Sequence, residues 1–210
     1  MDLSERQTVN DRAPTLQREL KGIVIFVGVI WAVFVADWLV FPIDFNAFGL
    51  TPRKLVGAVG IVTMPFLHAN WGHLLSNTDP LLVLLVLLVG SKARSWATVV
   101  EIMLVGGVLL WVFGRSATHV GASGLIFGLV AFLIASGVFE RRIIPLIVSL
   151  IVGFLYGGTL FSGVLPVGNS GISWDGHLCG AIAGVIVAWL LTKPARTKTD
   201  AINGASRDAG

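Results

Sequence analysis

A single cysteine, Cys179, in 210 residues excludes an internal disulfide and any metal site built from several thiolates. Charge is nearly as scarce. Asp, Glu, Lys and Arg make up 13% of the chain, against about 25% in an ordinary soluble domain. That deficit excludes a conventional water-soluble surface. No internal repeat stands out, and with it goes the usual signature of an inverted-repeat transporter. What is present instead is apolar: 55% of residues are hydrophobic and the mean hydropathy is +0.84. Twenty-five glycines suit close helix packing in lipid, where small residues let backbones approach. The composition is that of an integral membrane protein.

Six apolar stretches can be read as spans: residues 22–41, 73–89, 97–113, 123–139, 143–161 and 177–191. A helix needs about 20 residues to cross the hydrocarbon layer, so several are slightly short, as spans opening onto a water-filled cavity can be. Residues 42–72 are too polar and too broken by Pro and Gly to span. The expected fold class is therefore an all-α polytopic membrane protein with six transmembrane helices. Residues 22–191 form its membrane domain, and 1–21 and 192–210 are charged, mobile tails. The first twenty residues are polar and the run after them is full length, so no cleavable signal peptide is expected.

Orientation follows from Lys and Arg. With both termini cytoplasmic, the inner side holds Arg6, Arg12, Arg18, Lys21, Lys92, Arg94, Arg141, Arg142, Lys193, Arg196, Lys198 and Arg207, and the outer side only Arg53, Lys54 and Arg115. Twelve against three is a strong positive-inside bias. The basic residues are scattered over tails and short loops, so a nucleic-acid partner is not expected; the partner is the lipid bilayer. Size and tails suggest a bacterial plasma membrane. In this topology His73, Ser123 and His177 all begin their spans from the outer face, at one depth.

Polar groups so placed need a reason, because bilayers penalise them. Ser123 lies in Gly121-Ala122-Ser123-Gly124 and His177 in Gly176-His177-Leu178-Cys179-Gly180, each leading into a span. A serine hydroxyl needs a base to become a nucleophile, and neutral imidazole can be that base. Gly121 and Gly124 would let a substrate backbone approach. The free N–H groups at the start of the fourth span would suit a developing oxyanion. His73 and Asn77, four apart on one helix face, could add side-chain donors. Asp175, two residues before His177, is expected in a loop, and a dyad without an acid is the better reading. Alone, a serine at a helix start most often caps it, and a lone intramembrane histidine as often binds a neighbouring helix as it catalyses. Zinc is a weak rival: His68 and His73, five apart, spread round a helix, and no carboxylate joins them and His177. No cofactor is implied.

At this point the chain resembles the rhomboid family of intramembrane serine proteases. Gly121-Ala122-Ser123-Gly124 matches the family's Gly-x-Ser-Gly motif, and His68-x4-His73-x3-Asn77 its second-span motif. Gly176-His177 with Gly180 and Gly184 looks like the sixth span, and Tyr156-Gly157-Gly158 like the fifth. The resemblance runs from about Pro65 to Trp189. It implies a rhomboid-like six-helix bundle that cleaves transmembrane segments of other proteins near the outer face. Ser123 would be nucleophile and His177 base. Asn77, His73 and the Ser123 N–H would be oxyanion donors, with His68 structural.

Phe127 stands where many members carry Tyr, and it can still pack under the base without the hydroxyl. The first outer loop has Arg53-Lys54 rather than the Trp-Arg pair of some members. Asp37, Asp79 and Glu101 lie in or near spans. Helix phase turns Asp79 away from Asn77, which favours a contact to another helix over catalysis. Two alternatives stand beside the protease: a noncatalytic rhomboid-like protein that binds transmembrane helices, and a small transporter. Lateral access past the fifth span, under a mobile cover at 162–175, would admit a locally unwound substrate. The substrate's identity and the oligomeric state are not written in the sequence.

Overall fold

In a computed structural model of the protein, the described residues are 3–40, 44–91, 95–166 and 173–192, with side chains described from residue 16 on. They form α1 (Leu3–Leu39), a short α2 (Gly60–Thr63), α3 (Trp71–Ser91), α4 (Ser95–Phe113), α5 (Ser123–Glu140), α6 (Ile143–Gly163) and α7 (Trp174–Thr192). Six of these are long and apolar enough to cross a membrane, as the hydropathy pattern requires. Spans two to six agree with the sequence reading to within three residues. The first differs: its apolar span starts at Leu16, and the helix itself at Leu3. The N-terminal segment expected as a mobile tail is thus helical. Glu, Arg, Gln and Leu are good helix formers, and extending an existing helix avoids the nucleation penalty. Residues 193–210 lie outside the described residues.

The fourth span, α5, is the enclosed centre of the bundle, 72% buried along its apolar window. Its partner α7 lies against it on glycines. A side chain at Gly180 would run into the Gly124 carbonyl, and one at Gly184 into the Gly128 carbonyl. This is small-residue packing in which two backbones touch. It places the first turns of α5 and α7, carrying Ser123 and His177, side by side. On the other side α4 joins α7 at Gly106, where a side chain would lie 3.5 Å from Ala183 and Gly180. Helix α1 packs on α3 through Trp31, Phe34 and Trp71, with the Trp31 indole donating to Thr78 at 3.2 Å. Helix α6 leans on α5 through Ser149, whose hydroxyl donates to the Ile134 carbonyl at 3.0 Å. Elsewhere it is open: Phe154 is 89% exposed and only 11% of its apolar window is buried.

The connection after α1 does not span, but it is ordered. Asp37 closes the end of α1 by accepting from the Phe45 N–H at 2.6 Å and the Asn46 amide at 3.2 Å. Leu50 exchanges both backbone hydrogen bonds with His119, at 2.9 and 2.8 Å. Arg53, in a left-handed conformation (φ 58°), points its guanidinium at the end of α4. There it donates to the carbonyls of Val112 (3.1 Å) and Gly114 (2.8 Å). The last carbonyls of a helix have no internal donors, and Arg53 supplies them. Arg53 is therefore a structural clamp, a role its sequence context does not announce.

Candidate active site

Ser123 is the first residue of α5, not its cap. The capping position is Ala122, whose carbonyl accepts from Ile126 N at 2.9 Å. The hydroxyl of Ser123 forms no hydrogen bond with any described residue and opens on a cavity of about 880 Å3. Being at the first position, Ser123 also keeps its own N–H free of an intrahelical acceptor. Gly121, immediately before, has φ +109° and donates its N–H to the Met64 carbonyl at 2.9 Å. Only glycine adopts that conformation freely. A side chain there would also lie 2.5 Å from His73 Nε2. Gly121 thus makes room for the His73 ring beside Ser123, and a side chain at Gly124 would lie 3.3 Å from the Gly176 carbonyl. Both glycines serve the packing around Ser123.

His177, 9% exposed, faces the same cavity from the first turn of α7. Two contacts fix its ring. Phe127 stacks on it at 4.0 Å between centroids with 10° between planes. Its Nδ1 lies 3.0 Å from the carbonyl of Gly163, the last residue of α6. A carbonyl only accepts, so Nδ1 carries the proton, and the neutral ring keeps its lone pair on Nε2. A side chain at Gly163 would enter the Phe127 ring and reach 3.3 Å from that Nδ1. The His177 ring is therefore held in one tautomer and one plane by α5 and α6 together.

The α3 wall of the cavity carries His73 and Asn77. The Asn77 amide donates one proton to the His73 carbonyl at 2.7 Å. An amide has two, so the second is available to a developing oxyanion. Asn70 sets the start of α3, accepting from His73 N at 2.9 Å. His68, 2% exposed, does not line the cavity. It meets His73 edge-on at 5.0 Å between centroids and 61° between planes, with neither ring nitrogen hydrogen-bonded. Burial, then the neighbouring His73, holds its pKa down to about 4; the Phe66 carbonyl opposes this weakly. A neutral, wedge-like support results.

Asp175 is in the first turn of α7 rather than a loop, and its carboxylate turns to Arg115 rather than to His177. It accepts from the Arg115 N–H at 2.8 Å and from the Arg115 guanidinium at 3.1 Å. His119 Nε2 faces two acceptors, the Arg115 carbonyl at 3.3 Å and Asp175 Oδ2 at 3.7 Å, so it bears the proton. Nδ1 then accepts from the Ser173 hydroxyl at 2.7 Å. Burial pushes the His119 pKa down, with Asp175 pulling the other way. This network straps the start of α7 to the segment just before Ser123. Sequence reading missed it: His119 and Ser173 are isolated polar residues far apart in the chain. Asp79 lines the cavity, a correction to the phase argument that turned it away.

A Rhomboid domain model matches residues 56–194. The chain belongs to the rhomboid family. An uncharacterized protein of Mycobacterium tuberculosis is 40% identical over 223 residues, covering 98% of this chain and 91% of its own. Another from Mycobacterium leprae is 41% identical over 198 residues, 89% and 76% of the two chains. Rhomboid-like protein 11, chloroplastic, of Arabidopsis thaliana is 32% identical over 148 residues, 63% of this chain and 52% of its own. The matched region of this rhomboid contains Ser123, His177, the α3 motif, and the Arg115–Asp175 strap.

Proposed function

We propose that this rhomboid-family protein is an intramembrane serine endopeptidase acting through a Ser123–His177 dyad. The observation that carries the reading is the pairing of a free serine hydroxyl with an imidazole whose Nδ1 is tied to Gly163, both on one cavity. His177 Nε2 takes the Ser123 proton as Oγ attacks the scissile carbonyl. The oxyanion forms against the Ser123 N–H, the second Asn77 amide proton and His73. The imidazolium then gives its proton to the leaving amine, releasing one product and leaving an acyl-serine. A water deprotonated at Nε2 attacks that ester, freeing the new carboxylate and restoring the hydroxyl. No acid is needed, because Phe127 and the Gly163 carbonyl orient the base.

Substrates are membrane-spanning segments of other proteins. A helix must release a backbone carbonyl to be cut, which favours Gly or Pro near the cleaved bond. Approach is lateral, between α3 and the sparsely packed α6. Of the cover expected at 162–175, residues 162 and 163 belong to α6 and 174 and 175 to α7, and residues 167–172 lie outside the described residues. The plasma membrane and an outward-facing dyad complete the proposal.

A fluorophosphonate probe tests the chemistry. It should label the wild-type protein on Ser123, and neither Ser123→Ala nor His177→Ala. Asn77→Ala should label weakly and cleave about 10²–10³-fold more slowly, the scale of one oxyanion donor. Equal labelling of wild type and Ser123→Ala would remove the enzymatic reading.

A further inference from the structure

Beside the dyad, the cavity wall holds a group that the hydrolytic chemistry does not use. Asp79 is an exposed carboxylate in the second turn after Trp71, well inside an otherwise apolar span. Among the described residues it has no hydrogen-bond or ion-pair partner. One turn before it, on the same face, lies Ser76. The residue four after Ser76 is Pro80, which has no N–H, so the Ser76 carbonyl loses its helical donor. The Ser76 hydroxyl proton is already given to the His73 carbonyl at 3.0 Å. Around Ser76 and Asp79 the α3 wall therefore offers two strong acceptors, one of them charged, and the Ser76 hydroxyl is not a spare donor. Opposite them on α6 are Tyr156 and Thr159, with the Tyr156 phenol within electrostatic reach of Asp79. The cation that lines the cavity, Arg115, is bound to Asp175 at 3.1 Å.

A bare carboxylate at membrane depth is expensive and calls for a partner. An approaching helical segment has already spent its backbone N–H groups on itself, so the donor must come from a side chain. An ammonium or guanidinium group also neutralises the charge and can reach both acceptors at once. On the reading of the protein as a protease, we infer that Asp79 and the Ser76 carbonyl form a subsite for a Lys or Arg side chain on the substrate's membrane segment. That residue lies on the part of the segment still helical between α3 and α6, beyond the cleaved bond towards the middle of the bundle. Asp79 selects the substrate and takes no part in bond cleavage.

The test is a set of model membrane segments with a Gly-Pro cleavage region and Lys, Leu, Glu, Ser or Asn scanned along the following two turns. They are presented in proteoliposomes to wild type, Asp79→Asn and Asp79→Lys, with probe labelling of Ser123 as a control. Wild type should cleave the best-placed Lys segment about tenfold faster, in kcat/KM, than its Leu counterpart, the size of one charged hydrogen bond. Asp79→Asn should lose that preference but keep its rate on the Leu segment, and Asp79→Lys should favour Glu. Binding of the same segments to Ser123→Ala, followed by fluorescence transfer, should rank them identically without any cleavage. Equal rates and equal binding for Lys and Leu segments at every position would overturn the subsite, even with labelling intact. A preference for Ser or Asn over Lys would overturn its cationic character. Loss of labelling together with a preserved Lys preference in binding would sink the protease and leave the subsite standing.

Discussion

The Phe127 ring lies flat on the His177 imidazole, 4.0 Å away and within 10° of parallel. Stacking and the Gly163 carbonyl do for this base what a carboxylate does in a triad: they fix its tautomer and plane. Phe127→Tyr should keep the stack and stay within a few-fold of wild-type activity. Phe127→Leu should lower kcat with little change in KM, by a factor matching the about 0.5–1.5 kcal/mol of an aromatic pair. Steady-state kinetics on one membrane segment decide it. A Leu variant with wild-type kcat would show the stack to be incidental.

Asp175 and Arg115 act as one strap, but Arg115→Ala keeps the backbone N–H bond to Asp175 and should have the milder consequence. Asp175→Ala and Arg115→Ala should each lower kcat with the fold intact, and the double variant should be little worse than Asp175→Ala alone. Were Asp175 orienting His177 directly, Arg115→Ala would leave kcat unchanged. Thermal unfolding in detergent should show a loss of roughly 1–3 kcal/mol for Asp175→Ala, the scale of unsatisfied buried partners.

Two sets of glycines should separate cleanly. Gly180→Ala and Gly184→Ala force a side chain into the backbone of α5 and should cost about 1–3 kcal/mol or more. Gly157→Ala and Gly158→Ala, on α6, meet nothing within 4 Å and should be neutral to slightly stabilising. Unfolding temperatures of the four variants test this. Equal effects would mean the α5–α7 contact is looser than it is drawn here.

His68 makes stability depend on pH. Its folded pKa, about 4, is below the ordinary 6.5, so the unfolded chain binds its proton first. The stabilising contribution is complete above pH 6.5 and falls as pH drops from 6.5 towards about 4. His68→Phe removes both unpartnered nitrogens and keeps an aromatic ring, so its stability should change less over that interval. Parallel decline of the two proteins would assign the acid sensitivity to another group.

Much of this was legible in the sequence, because lipid simplifies the code. Long apolar runs mark helices without competing patterns, and glycines at four-residue spacing (176, 180, 184) mark a face that must touch another backbone. Ser123, His73, Asn77 and His177 were visible for the same reason: polar groups at the ends of apolar runs are few. The Gly163 carbonyl was not, since every residue has a carbonyl and only tertiary packing brings this one to His177. The Arg115–His119–Ser173–Asp175 network was hidden by chain separation. Asp175 was misplaced in a loop because the glycine after it reads as a break, although the helix starts one residue earlier, at Trp174. Asp79 was misjudged by ideal helix phase, which ignores how wide the cavity opens along α3.

On the proposed function, this rhomboid hydrolyses a peptide bond inside a membrane through Ser123. The direct measurement is mass spectrometry of a model membrane segment after incubation with the purified protein in proteoliposomes. Wild type should yield two fragments that sum to the segment plus one water, cut within its apolar stretch near one end. Ser123→Ala and His177→Ala, folded by the same unfolding assay, should return the segment intact. Identical fragments from wild type and Ser123→Ala, or an intact segment with every helix-destabilised sequence tried, would contradict the account.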